Sequence, residues 1–256
     1  MSKKWSKLLA IALTTCVAST LLMILGVNQK SEALSLPIST ASITTLAQAD
    51  DSETPLVPSV PLTSSPSAKS SLPYDARLID IRTLNPNILL DIRYATTNNF
   101  LKRPLYSKAR CVLRGAAARR LAQVQKELET KGLGLKVYDC YRPLSVQKLM
   151  WQVKPDSRYV ANPKYGSRHN RGAAVDLTLV DRNGKELEMP TGFDDFTTRA
   201  HRDYKGGSTQ ARKNSQVLEN AMKKYGFIPL PTEWWHFDAP GWDNYAILDV
   251  GFGEIP

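Results

Sequence analysis

Aromatic residues divide the chain at residue 74. Of the 21 Phe, Tyr and Trp residues in the 256-residue sequence, only Trp5 precedes Tyr74. Aromatic side chains supply much of the apolar area that a core buries, so a packed core is expected only from residue 74 onward. The remaining stretch of about 180 residues is long enough for one domain, which we assign to residues 74–256.

Residues 1–33 are predicted to be a signal peptide or a membrane anchor. Lys3, Lys4 and Lys7 precede an uncharged, mostly apolar run at residues 8–27. A basic start followed by an apolar run is typical of an export signal. The run is 20 residues long. That length spans a bilayer and exceeds the roughly 7–15 residues of a signal's apolar region, so cleavage and anchoring both stay open.

Residues 34–73 are predicted to be a disordered linker. They contain 21 Pro, Ser or Thr in 40 positions, with no Gly and no aromatic residue. Such a composition buries too little apolar surface to order itself. The linker would hold the folded domain away from a membrane. The expected location is therefore the periplasm or cell envelope, either free or anchored to the inner membrane, in preference to the cytoplasm.

The net charge of +10 suits an anionic partner without selecting one. Nucleic acid is not expected, because the basic residues are scattered instead of gathered with aromatic residues, and an exported protein would not meet it. The three cysteines are too few for a disulfide-dense scaffold. Cys16 falls in the apolar run, which leaves Cys111 and Cys140 either joined by an oxidising compartment or present as free thiols. The oligomeric state stays open.

Hydrophobic periodicity predicts an α+β fold in which helices pack on a mainly antiparallel sheet. The helices are predicted at residues 114–131, 145–153 and 208–225. The strands are predicted at residues 78–81, 88–94, 135–138, 173–180, 227–237 and 245–250. We expect the first two strands to form a hairpin around Asn85-Pro86-Asn87, and a turn at Asn183-Gly184.

Two of the three histidines lie in segments that predict a metal site. Two imidazoles and one carboxylate, with a fourth position left for water, are the usual ligands of a catalytic zinc ion. His169, Asp176 and His236 can supply this set. Small residues between His169 and Asp176 would let the backbone pass close to the ion. We therefore expect one Zn²⁺ per domain, and we interpret His201, which has basic neighbours, as a surface residue.

Three further residues suggest catalysis beside that metal. Glu233 lies three residues before His236 and is a candidate general base. Arg142 follows a predicted strand and precedes a proline, so its guanidinium can bind an oxyanion while Asp139 holds it in place. Each feature alone is compatible with an ordinary structural role. Their joint occurrence favours an active site on the sheet.

Five motifs in order resemble the zinc D-alanyl-D-alanine dipeptidases of peptidase family M15, the VanX type. The motifs cover residues 93–100, 141–143, 167–176, 189–194 and 233–236, and the resemblance extends from about residue 75 to 250. The longest reads Ser-x-His-x-x-Gly-x-Ala-x-Asp, and the last reads Glu-x-x-His. The resemblance implies the zinc chemistry of that family.

The resemblance also implies roles for individual residues. Zinc ligands would be His169, Asp176 and His236, with Glu233 as catalytic base and Arg142 as transition-state stabiliser. Asp194 and Tyr94 would meet the substrate's ammonium group, and Ser167 would contribute a hydrogen bond. Asp195 replaces Asp194 if the alignment is displaced by one residue.

The expected function is hydrolysis of the D-alanyl-D-alanine dipeptide to two D-alanines in peptidoglycan precursor turnover. A zinc D,D-carboxypeptidase or endopeptidase acting on muropeptides is the first alternative, and a non-catalytic envelope-binding module is the second. A small closed pocket would favour the dipeptidase, whereas an open cleft would favour an enzyme for longer chains.

Overall fold

The computed structural model describes residues 72–256. The predicted signal or anchor and all but the last two residues of the predicted linker lie outside that range, so both stay predictions. None of the helices in the described part of the chain is long and apolar enough to cross a membrane.

The main sheet has five strands in the order β2-β4-β5-β7-β6. Their bounds are Leu89–Leu90 for β2, Leu133–Asp139 for β4, Ala174–Asp181 for β5, Ile228–Pro229 for β6 and His236–Asp238 for β7. Strand β2 runs parallel to β4, and every other neighbouring pair is antiparallel. A separate two-stranded sheet pairs β1, Leu78–Asp80, with β3, Val112–Arg114. The predicted α+β class with a mainly antiparallel sheet is confirmed.

Strand β5 is the centre of the main sheet. Every residue from Ala174 to Val180 is buried, and the sequence over this stretch is apolar except at Asp176 and Thr178. A strand covered on both faces tolerates such an apolar run, whereas a buried carboxylate is costly unless it is paired or bound to a cation. Asp176 is therefore the position in β5 that packing does not explain.

The described residues form three helices: α1 is Gly115–Glu129, α2 is Leu144–Val153 and α3 is Thr209–Lys224. Helix α1 buries the apolar stripe formed by Leu121, Val124 and Leu128, and it contacts β4 and α3. Helix α3 begins where the Ser208 hydroxyl accepts a hydrogen bond from the Ala211 backbone N–H at 2.9 Å. The predicted helices agree with these bounds to within a few residues at each end.

The predicted hairpin between the first two strands is wrong. The Asp80 carboxylate accepts a hydrogen bond from the Arg82 N–H and caps a 3-10 turn at Ile81–Thr83, which redirects the chain. Strand β1 consequently pairs with β3, a strand that the sequence did not reveal. Only Leu89–Leu90 of the predicted second strand is extended, because a second 3-10 turn begins at Arg93.

The two strands predicted at the C-terminal end are also wrong in part. Residues 227–237 are divided into β6 and β7, because Pro229 and Pro231 have no N–H to donate to a continuous ladder. Residues 245–250 form no strand. Their hydrogen bonds go to side chains and loops, such as Leu248 N–H to the Asn170 carbonyl at 2.8 Å. The predicted turn at Asn183-Gly184 is present after β5.

Cys111 and Cys140 form a disulfide in this structure, with their Cα atoms 5.2 Å apart. Cys111 directly precedes β3, and Cys140 directly follows β4. The bond thus joins the small sheet to the end of the β4 strand, closing a loop with a sequence separation of 29 residues. Of the two states that the sequence left open, the structure has the bonded one.

Candidate active site

Three polar residues lie opposite one another across the centre of the main sheet. Asp139 on β4 pairs with Asp176 on β5, and Asp176 pairs with His236 on β7. Paired residues on neighbouring strands present their side chains on the same face with Cβ atoms about 4.5–5.5 Å apart. A register shift just before Asp139 marks a bulge, a feature that re-aims side chains next to active sites. We refer to Asp139, Asp176 and His236 as the strand row.

His169 reaches the strand row from a loop. It begins a short 3-10 turn that ends at Gly172, where φ is 67°. Glycine adopts this left-handed conformation without the steric cost that a side chain would add. Strand β5 can therefore begin only two residues later, at Ala174, which brings His169 back over Asp176.

The ligand atoms of the three residues converge. The His169 Nε2 atom lies 3.2 Å from His236 Nδ1 and 3.3 Å from Asp176 Oδ2, and His236 Nδ1 lies 2.9 Å from Asp176 Oδ1. Ligands at 2.0–2.1 Å from a tetrahedral ion are separated from each other by about 3.3–3.4 Å. All three residues are buried. The arrangement thus fits three corners of one tetrahedral metal site.

Hydrogen bonds orient both imidazoles for metal binding. His169 Nδ1 lies 2.7 Å from the Cys140 carbonyl oxygen, which can only accept, so Nδ1 carries the proton and Nε2 is left to bind. In the same way, His236 Nε2 lies 2.9 Å from Asp238 Oδ1, so Nε2 carries the proton and the Nδ1 atom of His236 is left to bind the metal. Sequence reasoning missed Asp238. The available signal was an acidic residue two positions after His236, on the same face of a strand.

The electrostatics of these residues favour a cation. Burial alone would raise the pKa of Asp176, but His169 and His236 outweigh it and hold that pKa well below its ordinary value. Burial alone would lower the pKa of His236, yet hydrogen bonds with Asp176 and Asp238 raise it to about 10. Two buried carboxylates around one imidazole therefore create a negative environment that either a proton or a metal ion can neutralise.

Glu233 lies beside the metal-ligating atoms in the turn that precedes β7. Its Oε2 atom is 3.9 Å from His236 Nδ1. Burial, with a further contribution from Asp176, raises the pKa of Glu233 to about 7 against the lowering effect of His236. A carboxylate with a pKa near neutrality suits a general base. The flanking Trp234 and Trp235 are fully buried and anchor the turn.

Arg142 is held by two side chains. Its Nε and Nη2 atoms donate to Asp139 Oδ2 at 3.1 and 2.6 Å, and its Nη1 atom donates to Gln147 Oε1 at 2.8 Å. Because a guanidinium has five N–H groups and three are used, two remain for a ligand. Burial opposes the charge, but Asp139 raises the pKa of Arg142 well above its ordinary value. The structure adds Gln147, which the sequence did not reveal, to the predicted Asp139.

Tyr94 and Asp194 face each other as a pair. The Tyr94 hydroxyl lies 3.1 and 3.0 Å from the two carboxylate oxygens of Asp194. Burial, with the nearby charge of Asp176, raises the pKa of Asp194 well above its ordinary value. A cation beside this carboxylate would favour its charged form. Asp195, the alternative, instead accepts a hydrogen bond from the Thr197 N–H at 3.1 Å.

These side chains line one cavity of about 140 Å³. All eight residues predicted to be catalytic, metal-binding or substrate-binding contribute to its wall: Tyr94, Arg142, Ser167, His169, Asp176, Asp194, Glu233 and His236. Drug-sized ligands occupy pockets of about 300–1,000 Å³, so this cavity suits a much smaller molecule. Sequence reasoning missed Phe100, Tyr159 and Phe196, which also line it. His201 is half-buried and does not line this cavity.

A convergent buried ligand set beside a buried glutamate and a buried arginine defines a metal-dependent hydrolase site. Comparison with known proteins gives the family. The profile of the D-ala-D-ala dipeptidase family, peptidase family M15, matches residues 74–249. The chain belongs to this family of peptidases.

Individual relatives agree with the family match. The D-alanyl-D-alanine dipeptidase of Escherichia coli (strain K12) is 36% identical over 171 residues, covering 67% of this chain and 89% of that protein. The D-alanyl-D-alanine dipeptidase of Enterococcus faecalis (strain ATCC 700802 / V583) is 31% identical and covers 60% and 89%. A solved structure of the LdcB LD-carboxypeptidase is similar at 23% identity, covering 57% of this chain and 70% of that one, with a TM-score of 0.35.

Proposed function

We propose that this protein is a zinc dipeptidase that hydrolyses D-alanyl-D-alanine to two D-alanines in the turnover of peptidoglycan precursors. The observation that carries the proposal is the position of the metal-ligating set, Glu233 and Arg142 on the wall of one small cavity. The family match and the two D-alanyl-D-alanine dipeptidase relatives support the same substrate.

The donor set fits zinc. Two imidazole nitrogens and one carboxylate, with a fourth position open to the cavity, are the usual ligands of a catalytic zinc ion. His169, Asp176 and His236 would hold it. When bound, the ion would polarise the scissile carbonyl and make a water molecule a better nucleophile at neutral pH.

Glu233 and Arg142 would divide the remaining chemistry. The Glu233 carboxylate would accept a proton from the attacking water as the new C–O bond forms, and would then pass that proton to the amide nitrogen as the C–N bond breaks. Arg142 would donate its two remaining N–H groups to the developing oxyanion. Because Asp139 and Gln147 already hold the guanidinium, little reorganisation would accompany the reaction.

Asp194 and Tyr94, on the wall of the same cavity, would select a free amino group. An ammonium placed against the half-buried Asp194 carboxylate and the Tyr94 hydroxyl would supply that carboxylate with a counter-ion. Ser167, whose hydroxyl accepts a hydrogen bond from the Asn170 N–H at 3.2 Å, lines the cavity beside His169 and would contribute a hydrogen bond.

We further propose that the protein is exported to the cell envelope, as a cleaved or a membrane-anchored form. The basic and apolar segment at residues 1–33 supports export. The disulfide between Cys111 and Cys140 is a second, independent support, because such bonds persist in oxidising compartments.

The test is a product assay on three substrates with purified protein. Release of alanine from D-alanyl-D-alanine, abolished by a chelator and restored by zinc, is the expected result. L-alanyl-L-alanine and a muropeptide pentapeptide are expected to stay intact. Cleavage of the pentapeptide at a comparable rate would instead favour a carboxypeptidase. Native protein that binds no metal would favour a non-catalytic module.

The variant Glu233→Ala tests the assigned base. Since general acid–base catalysis contributes about 10²–10⁴-fold, turnover should fall by that factor while metal content stays at one ion per chain. His236→Ala is the matched comparison, because it should lose the metal as well. Near-normal turnover by Glu233→Ala would remove Glu233 from the mechanism.

A further inference from the structure

A continuous series of aromatic rings leads away from the amino-group end of the cavity. The Tyr94 ring, whose hydroxyl bonds Asp194, lies 6.3 Å from the Phe100 ring in an edge-to-face contact. Phe100 lies 5.2 Å from Phe196, again edge to face, and Phe196 lies 5.2 Å from Tyr159. We call Phe100, Tyr159 and Phe196 the aromatic wall.

The aromatic wall joins segments that are distant in sequence. Tyr159 belongs to the loop that follows α2, whereas Phe196 lies two residues after Asp194. The Lys154 ammonium group lies 5.3 Å from the centre of the Tyr159 ring and 5.5 Å from that of Phe196, so it bridges the two. Tyr159 and Phe196 line the cavity and are still partly exposed, which places them between the cavity and solvent.

The position of the aromatic wall has a consequence for substrate length. A peptide longer than a dipeptide extends from its amino end, because the leaving D-alanine carries the free carboxylate. With the amino end against Asp194 and Tyr94, an added residue would meet Phe100 and Phe196. We propose that the aromatic wall sets the length of peptide that the enzyme accepts, and that Tyr159 and Phe196 are its specificity-determining residues. This inference rests on the proposed dipeptidase function.

Two separate barriers therefore exclude a longer peptide. The first barrier is steric, because the rings of the aromatic wall occupy the space that an added residue would need. The second is Asp194, a half-buried carboxylate on the cavity wall that pairs with an ammonium but not with an acylated nitrogen. An experiment must separate the two barriers, because only the first belongs to the aromatic wall.

The experiment measures kcat/KM for D-alanyl-D-alanine, for L-alanyl-D-alanyl-D-alanine and for N-acetyl-D-alanyl-D-alanine. The full-length zinc enzyme is compared with Phe196→Ala, Tyr159→Ala, Asp194→Asn and the double variant Phe196→Ala/Asp194→Asn. Phe196→Leu preserves apolar bulk at the wall. Tyr165→Ala removes an exposed aromatic residue that does not line the cavity.

Wild type should favour the dipeptide by at least about 100-fold over both longer compounds. Phe196→Ala and Tyr159→Ala should each reduce the ratio of kcat/KM for the dipeptide to kcat/KM for the tripeptide by about tenfold. The reduction should come mainly from a higher kcat/KM for the tripeptide. Phe196→Leu and Tyr165→Ala should keep the wild-type preference. The acetylated compound should respond most to the double variant, since both barriers are then removed.

Unchanged preferences in Phe196→Ala and Tyr159→Ala, with wild-type zinc content and circular dichroism, would overturn the role of the aromatic wall. If Phe196→Ala does not fold, Tyr159→Ala decides the question, because its ring is supplied by a separate loop. Wild type that does not cleave D-alanyl-D-alanine would refute the proposed function itself. Wild type that cleaves the dipeptide and tripeptide equally would refute only the wall.

Discussion

The strand row and the aromatic wall face the same cavity but are built in different ways. Asp139, Asp176 and His236 are cross-strand neighbours, and hydrogen-bonded ladders determine their separation. Phe100, Tyr159 and Phe196 lie on loops, and their rings contact each other without a backbone ladder between them. Two of the three metal ligands, Asp176 and His236, are thus held by the sheet, whereas the aromatic wall is positioned by loops and by contacts between its rings.

This difference separates two properties of the enzyme. Metal geometry tolerates little displacement, because ligand bonds vary by only about 0.2 Å, so it benefits from the placement of Asp176 and His236 on paired strands. Substrate length depends on a steric boundary, which loops can supply and alter without moving the ligands. Changes in the strand row and its supports should therefore affect metal binding and turnover, while changes in the aromatic wall should affect substrate preference.

After the metal ligands and Glu233, Arg142→Ala should have the largest effect on turnover. Loss of a group that stabilises the transition state typically costs about 10²–10³-fold in kcat, or about 3–4 kcal/mol. Zinc content should be unchanged, because Arg142 contributes no ligand. Steady-state kinetics with metal analysis checks both. Arg158→Ala is the matched control, since Arg158 also lines the cavity but is paired with Asp156 on the exposed loop. A similar loss of kcat in Arg158→Ala would contradict the specific role of Arg142 in stabilising the transition state.

The double variant Cys111→Ser/Cys140→Ser should lower the free energy of unfolding by about 3–4 kcal/mol. A bond that closes a loop of this size removes that much conformational entropy from the unfolded chain. Urea denaturation checks the value. Wild type unfolded in the presence of a reductant should follow the variant's curve. Identical curves for oxidised wild type and the variant would show that the bond does not form in solution.

Asp238→Ala should weaken zinc binding by about 10–100-fold. The lost carboxylate no longer fixes the His236 ring through Nε2, and partners of metal-ligating histidines have effects of this size. Competition with a chromophoric chelator measures the affinity. Asp238→Asn, which keeps an acceptor oxygen, should lose less. Asp243→Asn, an exposed acid nearby in sequence, should bind zinc as wild type does; affinity within twofold for Asp238→Ala would remove its positioning role.

Lys154→Ala should have the smallest effect. A cation beside partly exposed aromatic rings contributes about 0.5–1 kcal/mol, so the preference for the dipeptide over the tripeptide should change by about two- to fivefold. Zinc affinity should not change, because the residues of the aromatic wall are not on strands that pair with the strands of Asp176 and His236. The same kinetic and chelator assays apply. A large loss of metal in Lys154→Ala would show that the aromatic wall and the metal-ligating residues are coupled.

Local patterns in the sequence were sufficient for much of the fold. Helices α1, α2 and α3 follow from apolar spacing and from the residues at their ends, which act within a few positions. The hairpin and the C-terminal strands failed because pairing depends on contacts far along the chain. Asp80 turns the chain after β1, and the ladder partner of β1 is more than 30 residues away, at Val112–Arg114.

The site divides in the same way. The residues that the chemistry needs belong to short motifs and were predictable: His169, Asp176, Glu233 and His236. Asp238 and Gln147 were not, because their roles exist only once a partner side chain lies beside them. The roles of Phe196 and Tyr159 were not predictable for the same reason, because the sequence around either residue does not indicate that the two rings are in contact.

By itself, the sequence determined which chemical groups this protein possesses. The tertiary structure alone decided which of those groups meet. Asp139, Asp176 and His236 face one another because strand pairing and a bulge set their register, and a shift of one residue would turn each side chain to the opposite face. Register is set by long-range contacts across the sheet, and these cannot be derived from spacing along the chain.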